Sequence, residues 1–268
     1  PGATETFVEH WGVLRDPKAV ETAGGADDRG RPTAQPDDLD MNSAYGLFLR
    51  GRHCFSDRGN SYAEAEDWYR KSLERDPCFI PSLTALAALE LRRGEDAACH
   101  RLCEKALATD AYEEDANYLD GFAYFAEGDD VRARDRLGVA AFGMKNRSAA
   151  YALVARMYLR SRENGKAAEF ADKSLAANAA NFDALLVSLV SRRGTPEAKS
   201  RAEAVLDSYP LFHAARYESE GLSFVRLVRN ELPNQTYLEL GSWYEESGLA
   251  DKALALYRMA GDSVIARI

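Results

Sequence analysis

The chain has 268 residues, of which 46% are apolar, enough to form a continuous hydrophobic core. Asp and Glu outnumber Lys and Arg by 43 to 34, which gives a net charge of −9. Because non-specific binding to DNA or RNA needs a basic surface, this balance argues against a nucleic-acid partner. No apolar run approaches the roughly 18 residues of a transmembrane helix, so the sequence also predicts no membrane insertion.

The N-terminal segment, residues 1–40, differs in composition from the rest of the chain. It is acidic and rich in Pro and Gly, and the stretch from Ala23 to Asp40 predicts a linker. Phe7, Trp11 and Leu14 have the spacing of one short amphipathic helix. We expect this helix either to cap a following helical array or to belong to a preceding domain.

The central region repeats with a period of 34 residues. Leu83, Asn117 and Tyr151 stand at equivalent positions in three successive copies of one pattern. Each copy has two helical stripes separated by a turn, and Gly94 and Gly128 at the first two turns can adopt the left-handed conformation that ends a helix. A period of this length with two helices per unit predicts an all-α fold, a solenoid of stacked antiparallel helix–turn–helix units.

The same pattern extends in both directions from this centre. It begins near Asn42 or Ser43, either of which can cap a helix, and it becomes irregular over residues 211–232, where we expect a shortened helical pair and a kink. The pattern then recovers and is unfinished at Ile268. The sequence therefore predicts about six helical hairpins over residues 41–268, the last unit being truncated.

Seven positions of the last complete unit follow an aromatic, Leu-Gly and Tyr order on the first helix and an Ala, aromatic and Ala order on the second. They are Tyr237, Leu240, Gly241, Tyr244, Ala253, Tyr257 and Ala260. This order resembles the tetratricopeptide repeat (TPR), and the resemblance covers about residues 43–262. It implies a right-handed α-solenoid whose first helices line a concave groove, and a scaffold that binds other proteins.

Two short runs, Arg147–Tyr151 and Arg229–Pro233, also resemble the repeat region of large uncharacterised bacterial proteins. Such proteins carry a β-sandwich domain similar to sugar mutarotases. This narrower resemblance implies an alternative role as an accessory or spacer region of a larger carbohydrate-related enzyme, with further domains at either end. Pro1 in place of a start Met agrees with a fragment or a processed chain.

Motifs for catalysis or cofactor binding are missing from the sequence. It has no phosphate-binding glycine loop followed by Lys and Ser or Thr, no nucleophile elbow and no metal-binding pair of histidines on one helix. An α-toroid hydrolase would need two carboxylates facing each other, and Asp115 alone lies in the middle of the predicted groove. We therefore expect a non-enzymatic protein without cofactors or metals.

The cysteines give no disulfide or metal pattern. Cys99 and Cys103 lie four residues apart and predict small, buried side chains on one helical stripe. His100 lies about 100° around the helix from Cys99, and we expect the four histidines at surface or cap positions. Free thiols make a reduced, cytoplasmic compartment the default expectation.

Groove positions of the family, carried over to this chain, combine arginines with aromatic residues. The ten residues expected to contact a partner are Tyr45, Phe48, Arg52, Arg92, Tyr118, Phe122, Phe125, Arg156, Arg160 and Arg192. Arginine pairs with carboxylates through its planar fork, and aromatic rings bury apolar side chains. We expect a protein or peptide partner, an extended or helical segment with acidic and apolar residues. The alternative is that the aromatics pack between units and the arginines pair locally.

Overall fold

The computed structural model describes residues 40–56, 62–221 and 233–260, which contain thirteen α-helices and no strands. The helices are α1 (Ala44–Ser56), α2 (Tyr62–Arg75), α3 (Ile80–Arg93), α4 (Asp96–Thr109), α5 (Glu114–Glu127), α6 (Asp130–Ala140), α7 (Arg147–Arg160), α8 (Asn164–Ala177), α9 (Phe182–Ser191), α10 (Ala198–Ser208), α11 (His213–Glu220), α12 (Pro233–Glu246) and α13 (Ala250–Ala260). The predicted helix around Trp11, the second short helix near Phe224 and the unfinished helix after Val264 lie outside the described residues.

The described residues divide into two compact units, one up to Leu89 and the other from Glu90 onward. In the first unit, α1 packs on α2 at Gly51, where an added Cβ would lie only 2.6 Å from Cε1 of Tyr69. The ring centroid of Phe48 lies 5.8 Å from those of both Tyr69 and Phe79. A small residue on the first helix facing a large one on the second thus allows close helix contact.

In the second unit, the turns within hairpins fall where the sequence predicts them. Helix α3 ends at Arg93, just before Gly94, and α5 ends just before Gly128. These glycines have φ values of +76° and +83°, in the left-handed region that favours glycine. The third turn reaches φ 61° with Arg162 instead, a conformation that costs a non-glycine residue about 1 kcal/mol.

The hairpin of α5 and α6 repeats the packing seen in the first unit. A Cβ added to Gly121 would lie 2.8 Å from Cγ of Leu137, and Leu137 is fully buried. Cys99 and Cys103 of α4 are both 0% exposed, which confirms the prediction that they are small buried side chains.

The regular succession of hairpins ends after α10. Helix α11 is only eight residues long, and it confirms the prediction of a short helix in the irregular region. Helices α12 and α13 then form a hairpin with the usual packing, since a Cβ at Gly241 would lie 2.5 Å from Cε1 of Tyr257. Across the described ranges, no helix combines the length and the apolar character that spanning a membrane requires.

Candidate functional site

A cluster of charged and aromatic side chains surrounds Arg156 of α7 in the second unit. The guanidinium carbon lies 5.1 Å from the ring centroid of Phe125 and 5.4 Å from the ring of Trp243. Nη2 donates to Oε2 of Glu246 at 2.7 Å, and Nε lies 3.8 Å from Oδ1 of Asp183. Arg156 is 7% exposed, so this positive charge depends on its neighbours rather than on water. We call Phe125, Arg156, Asp183, Trp243 and Glu246 the Arg156 cluster.

Helical spacing on α7 directs two arginines to the same ring. Arg156 and Arg160 are four residues apart and therefore lie on one face of the helix. The guanidinium carbon of Arg160 lies 4.8 Å from the centroid of Phe125, and Arg160 also forms an ion pair with Asp130 at the start of α6. A guanidinium over an aromatic face contributes about 0.5–2 kcal/mol, the larger values applying to desolvated sites such as Arg156.

The carboxyl group of Asp183 lies at the start of α9 and joins two members of the cluster. It accepts a hydrogen bond from the indole N–H of Trp243. Burial raises the pKa of Asp183 above its ordinary value, and the Arg156 charge and the indole hydrogen bond oppose this rise. Burial, together with the Asp183 charge, raises the pKa of Tyr118 to about 12, so Tyr118 is neutral at physiological pH.

Helix α12 contributes Trp243 and Glu246, and it reaches far back along the chain. Four described helices separate α12 from α7 in the sequence. The two are nevertheless in contact, since a Cβ added to Gly248, just beyond α12, would lie 3.3 Å from both Cα and the carbonyl oxygen of Arg160. In a regular solenoid each unit contacts only its neighbours. The last hairpin therefore departs from the regular succession and docks on earlier first helices.

A second polar centre forms around Glu218 of α11, which contacts both helices of the same hairpin. Its carboxylate, only 5% exposed, receives Nε and Nη2 of Arg193 at 2.8 and 2.6 Å, a two-point pairing. The hydroxyl of Tyr244 in α12 donates to Glu218, and Nζ of Lys252 in α13 lies 3.7 Å away. Burial, reinforced by Glu218, raises the pKa of Tyr244 well above its ordinary value, so its hydroxyl remains a donor.

Five of the ten predicted partner-binding residues lie together in the second unit. They are Tyr118, Phe122, Phe125, Arg156 and Arg160. Ring centroids of Tyr118 and Phe122 are 6.5 Å apart, and those of Phe122 and Phe125 are 6.3 Å apart. The three aromatics form one face of α5 that continues into the Arg156 cluster.

The other five predicted residues lie elsewhere. Arg192 pairs with Asp172 of α8 and donates to the hydroxyl of Ser188 at 2.8 Å, and Arg92 is exposed near the end of α3. In the first unit, Tyr45 is 59% exposed. There Phe48 packs inside the α1–α2 hairpin, with the guanidinium carbon of Arg52 at 5.9 Å from its ring centroid.

Sequence reasoning did not find Asp183, Trp243 or Glu246. Trp243 and Glu246 are three residues apart in the unit with the strongest family pattern, which was the one available signal for a shared helix face. Their convergence on Arg156 depends on the position of α12, which no sequence period encodes.

The expectation of a surface or cap position is wrong for His100. Its Nδ1 lies 2.6 Å from Oδ1 of the fully buried Asp120, and its ring stacks on Tyr124 with centroids 4.1 Å apart. Nε of Arg136 lies 2.7 Å from the other oxygen of Asp120. These contacts join α4, α5 and α6 through the buried carboxyl group of Asp120. The described ranges contain no group of three or more His, Cys, Asp or Glu residues that could hold a metal ion.

No protein-family model and no curated protein sequence matches this chain. Solved structures do match. A tetratricopeptide repeat protein from Parabacteroides merdae has 15% identity and a TM-score of 0.60, covering 84% of this chain and 96% of its own. PilF of Pseudomonas aeruginosa has 20% identity and a TM-score of 0.53, covering 84% and 95%. PilW, a widely conserved type IV pilus biogenesis factor, has 17% identity and a TM-score of 0.57, covering 66% and 83%.

The similarity at these low identities concerns the fold. Together with the succession of helical hairpins, it establishes a TPR-like, all-α architecture of consecutively packed helix pairs for this chain. What the chain binds has to be inferred from its own side chains.

Proposed function

We propose that this chain is a non-enzymatic protein-interaction scaffold that binds a helical protein segment at the Arg156 cluster. The segment would carry acidic and apolar residues, and it would lie along the partly exposed rings of Tyr118 and Phe122, beside the buried ring of Phe125. The observation that carries the proposal is the environment of Arg156, a buried guanidinium held between two aromatic rings and paired with a carboxylate.

The chemistry of the site suits recognition of a helix. A guanidinium offers several donors in one plane, so it can bind a carboxylate at its edge while its faces stack on rings. The aromatic side chains of α5 supply apolar contact area with few rotatable bonds to immobilise. A helix with an acidic residue and an aromatic residue on one face meets both requirements.

Photo-crosslinking in the full chain tests this proposal. A photoreactive phenylalanine analogue replaces Phe122, which is partly exposed beside the cluster, and captured peptides are identified by mass spectrometry. We expect crosslinks to helical segments with acidic and aromatic residues. They should be lost when Arg156→Gln and Arg160→Gln are combined, because both guanidiniums over Phe125 are removed.

A matched control is available on α4, where Arg101 and Lys105 are exposed and distant in sequence from the cluster. Combining Arg101→Gln with Lys105→Gln also removes two positive charges, but it leaves Arg156 and Arg160 in place. The crosslinked peptides should persist in this control. Identical crosslinks from the wild type and from both double variants would contradict the proposal.

A further inference from the structure

The last hairpin, α12 with α13, brings to the Arg156 cluster the chemistry expected of a partner. Trp243 places its ring over Arg156, and Glu246, three residues later on the same face, accepts from that guanidinium at 2.7 Å. Both side chains belong to a helix that reaches α7 out of the regular order of the array. Within this unit, the site therefore already holds a helix of the acidic and aromatic type.

We propose that the last hairpin is an internal ligand of the Arg156 cluster and competes there with a partner helix. That partner presents an aromatic residue and a carboxylate three positions apart, as Trp243 and Glu246 do. The inference rests on the proposed function, since it concerns the same site, and it specifies both the partner's chemistry and the regulation of access.

The polar contacts at Arg156 lie at the edge of a larger apolar interface, in which Leu240 and Leu256 of the hairpin are buried in one cluster with Leu159 of α7. Glu246 has a side chain that is 54% exposed, so its ion pair with Arg156 forms at the edge of the cluster and is weakened by water. The hairpin also has its own interface, in which Gly241 of α12 packs on Tyr257 of α13. A helix that supplies an equivalent ring and carboxylate would replace the contacts at Arg156 with ones of the same kind.

The Glu218 centre gives the docked hairpin its second point of attachment. Tyr244 donates to Glu218, and Lys252 lies 3.7 Å from it. Because Tyr244 lies between Trp243 and Glu246 on α12, a partner helix that takes the place of α12 at Arg156 also separates Tyr244 from Glu218. Competition of this kind lowers the apparent affinity for the partner by the fraction of sites that the hairpin occupies.

A charge reversal on the hairpin tests the inference in the full chain. Glu246→Lys places a positive charge beside Arg156 and should release α12 from it. The matched control is Glu239→Lys, an exposed position on the same helix whose carboxylate accepts from Gln235. The probe is a fluorescently labelled synthetic peptide of residues 233–260, and binding is measured by fluorescence anisotropy.

We expect the Glu246→Lys chain to bind this peptide at least about tenfold more tightly than the wild type, because the internal competitor is removed. The Glu239→Lys chain should behave like the wild type. Adding Arg156→Gln to Glu246→Lys should abolish the gain. Equal peptide affinities for the wild type and the Glu246→Lys chain would overturn the inference.

Amide hydrogen exchange gives a second readout that does not depend on the peptide. Release of the hairpin should raise exchange in α7 and α12 of the Glu246→Lys chain, and the control should leave it unchanged. Unchanged protection in the Glu246→Lys chain would show that the hairpin does not depend on this contact, which would also overturn the inference.

Peptide variants test the chemistry assigned to the partner. Replacing Trp243 by Ala or Glu246 by Gln in the labelled peptide should each weaken binding to the Glu246→Lys chain by about tenfold, and replacing Glu239 by Gln should have no effect. Equal binding of all four peptides would contradict the aromatic and carboxylate pair.

The two proposals fail in different ways. If crosslinks at position 122 depend on Arg156 but the hairpin peptide binds the wild type and Glu246→Lys equally, the scaffold function stands and the internal ligand is wrong. If the peptide behaves as expected but no external protein crosslinks in an arginine-dependent manner, the internal contact is real and the proposed function is wrong.

Discussion

Two hairpins of the second unit have the same internal packing and very different surroundings. In α5–α6, Gly121 faces Leu137, and in α12–α13, Gly241 faces Tyr257. The first hairpin packs in chain order between α4 and α7, mainly through apolar residues. The second reaches back out of chain order to α7, with which it shares a buried apolar cluster, and it adds charged and aromatic contacts at Arg156. A repeat pattern therefore specifies how a hairpin closes, and other contacts decide where it docks.

The largest expected effect is overpacking of the hairpin interface. Gly121→Leu should lower the free energy of unfolding by about 1–3 kcal/mol, because even a Cβ would lie 2.8 Å from Leu137. Gly241→Leu should cost a similar amount, with increased amide exchange confined to α12, α13 and the helices they contact. Thermal and urea melts with exchange mass spectrometry test both variants.

Gly138 provides the control for these two substitutions, since a Cβ there would meet nothing within 4 Å. Gly138→Ala should stabilise α6 by about 0.5–1 kcal/mol through helix propensity. If Gly121→Leu were no less stable than the wild type, the shared packing of the two hairpins would be wrong.

A smaller difference in the free energy of unfolding should distinguish the buried Arg156 from Arg192, which is paired locally. Arg156→Met keeps most of the side-chain volume but leaves Asp183 and Glu246 without their guanidinium, which should cost about 1–2 kcal/mol. Arg192→Met removes an ion pair with an Asp172 side chain that is 51% exposed, and it should cost only about 0.5 kcal/mol. Equal losses in urea melts would show that docking of the last hairpin adds nothing at Arg156.

Alanine substitutions at two turn glycines test the contact between the last hairpin and α7. Gly128 and Gly248 both have positive φ, so Ala at either position should cost about 1 kcal/mol in backbone strain. A Cβ at Gly128 would meet nothing within 4 Å, but at Gly248 it would press on the backbone of Arg160. Gly248→Ala should therefore cost roughly 0.5–1 kcal/mol more than Gly128→Ala, and amide exchange should rise in α12. Similar losses with no change in α12 would contradict the close approach of the last hairpin.

The smallest effect is a pH trend at Asp183. Burial raises the pKa of this carboxyl in the folded chain. The folded chain therefore loses stability as the pH rises through that pKa and the carboxyl ionises. Asp183→Asn keeps an acceptor for Trp243 and cannot ionise, so its stability relative to the wild type should increase from acidic to neutral pH. Melting temperatures of both proteins across this range provide the measurement. A difference that does not change with pH would show that the Arg156 charge fully offsets the burial of Asp183.

The regular part of the array follows from sequence because its determinants are local. The spacing of small residues predicts which side of each helix is buried, and Gly94, Gly128 and Gly194 mark turns where φ is positive in the structure. The aromatic face of Tyr118, Phe122 and Phe125 is also local, since the three residues share one helix. Whether this face binds a partner remains a prediction.

Polar contacts between distant segments could not be obtained in this way. Sequence reasoning treated His100 as a surface or cap residue because its partner, Asp120, comes from the next first helix. Sequence likewise predicts Arg156 and Arg160 as groove residues but not their acidic partners. Pairing of charged side chains depends on which helices meet, and the 34-residue period carries no information on residues outside it.

By itself, the sequence determined that this protein is a series of α-hairpins, because apolar periodicity and turn glycines act over a few residues. The tertiary structure alone decided that the Arg156 side chain meets Glu246, 90 residues away, and that Trp243 covers it. The reason is physical. The short helix α11 interrupts the regular stacking, and the path of the chain beyond it follows from packing and charge pairing rather than from the repeat.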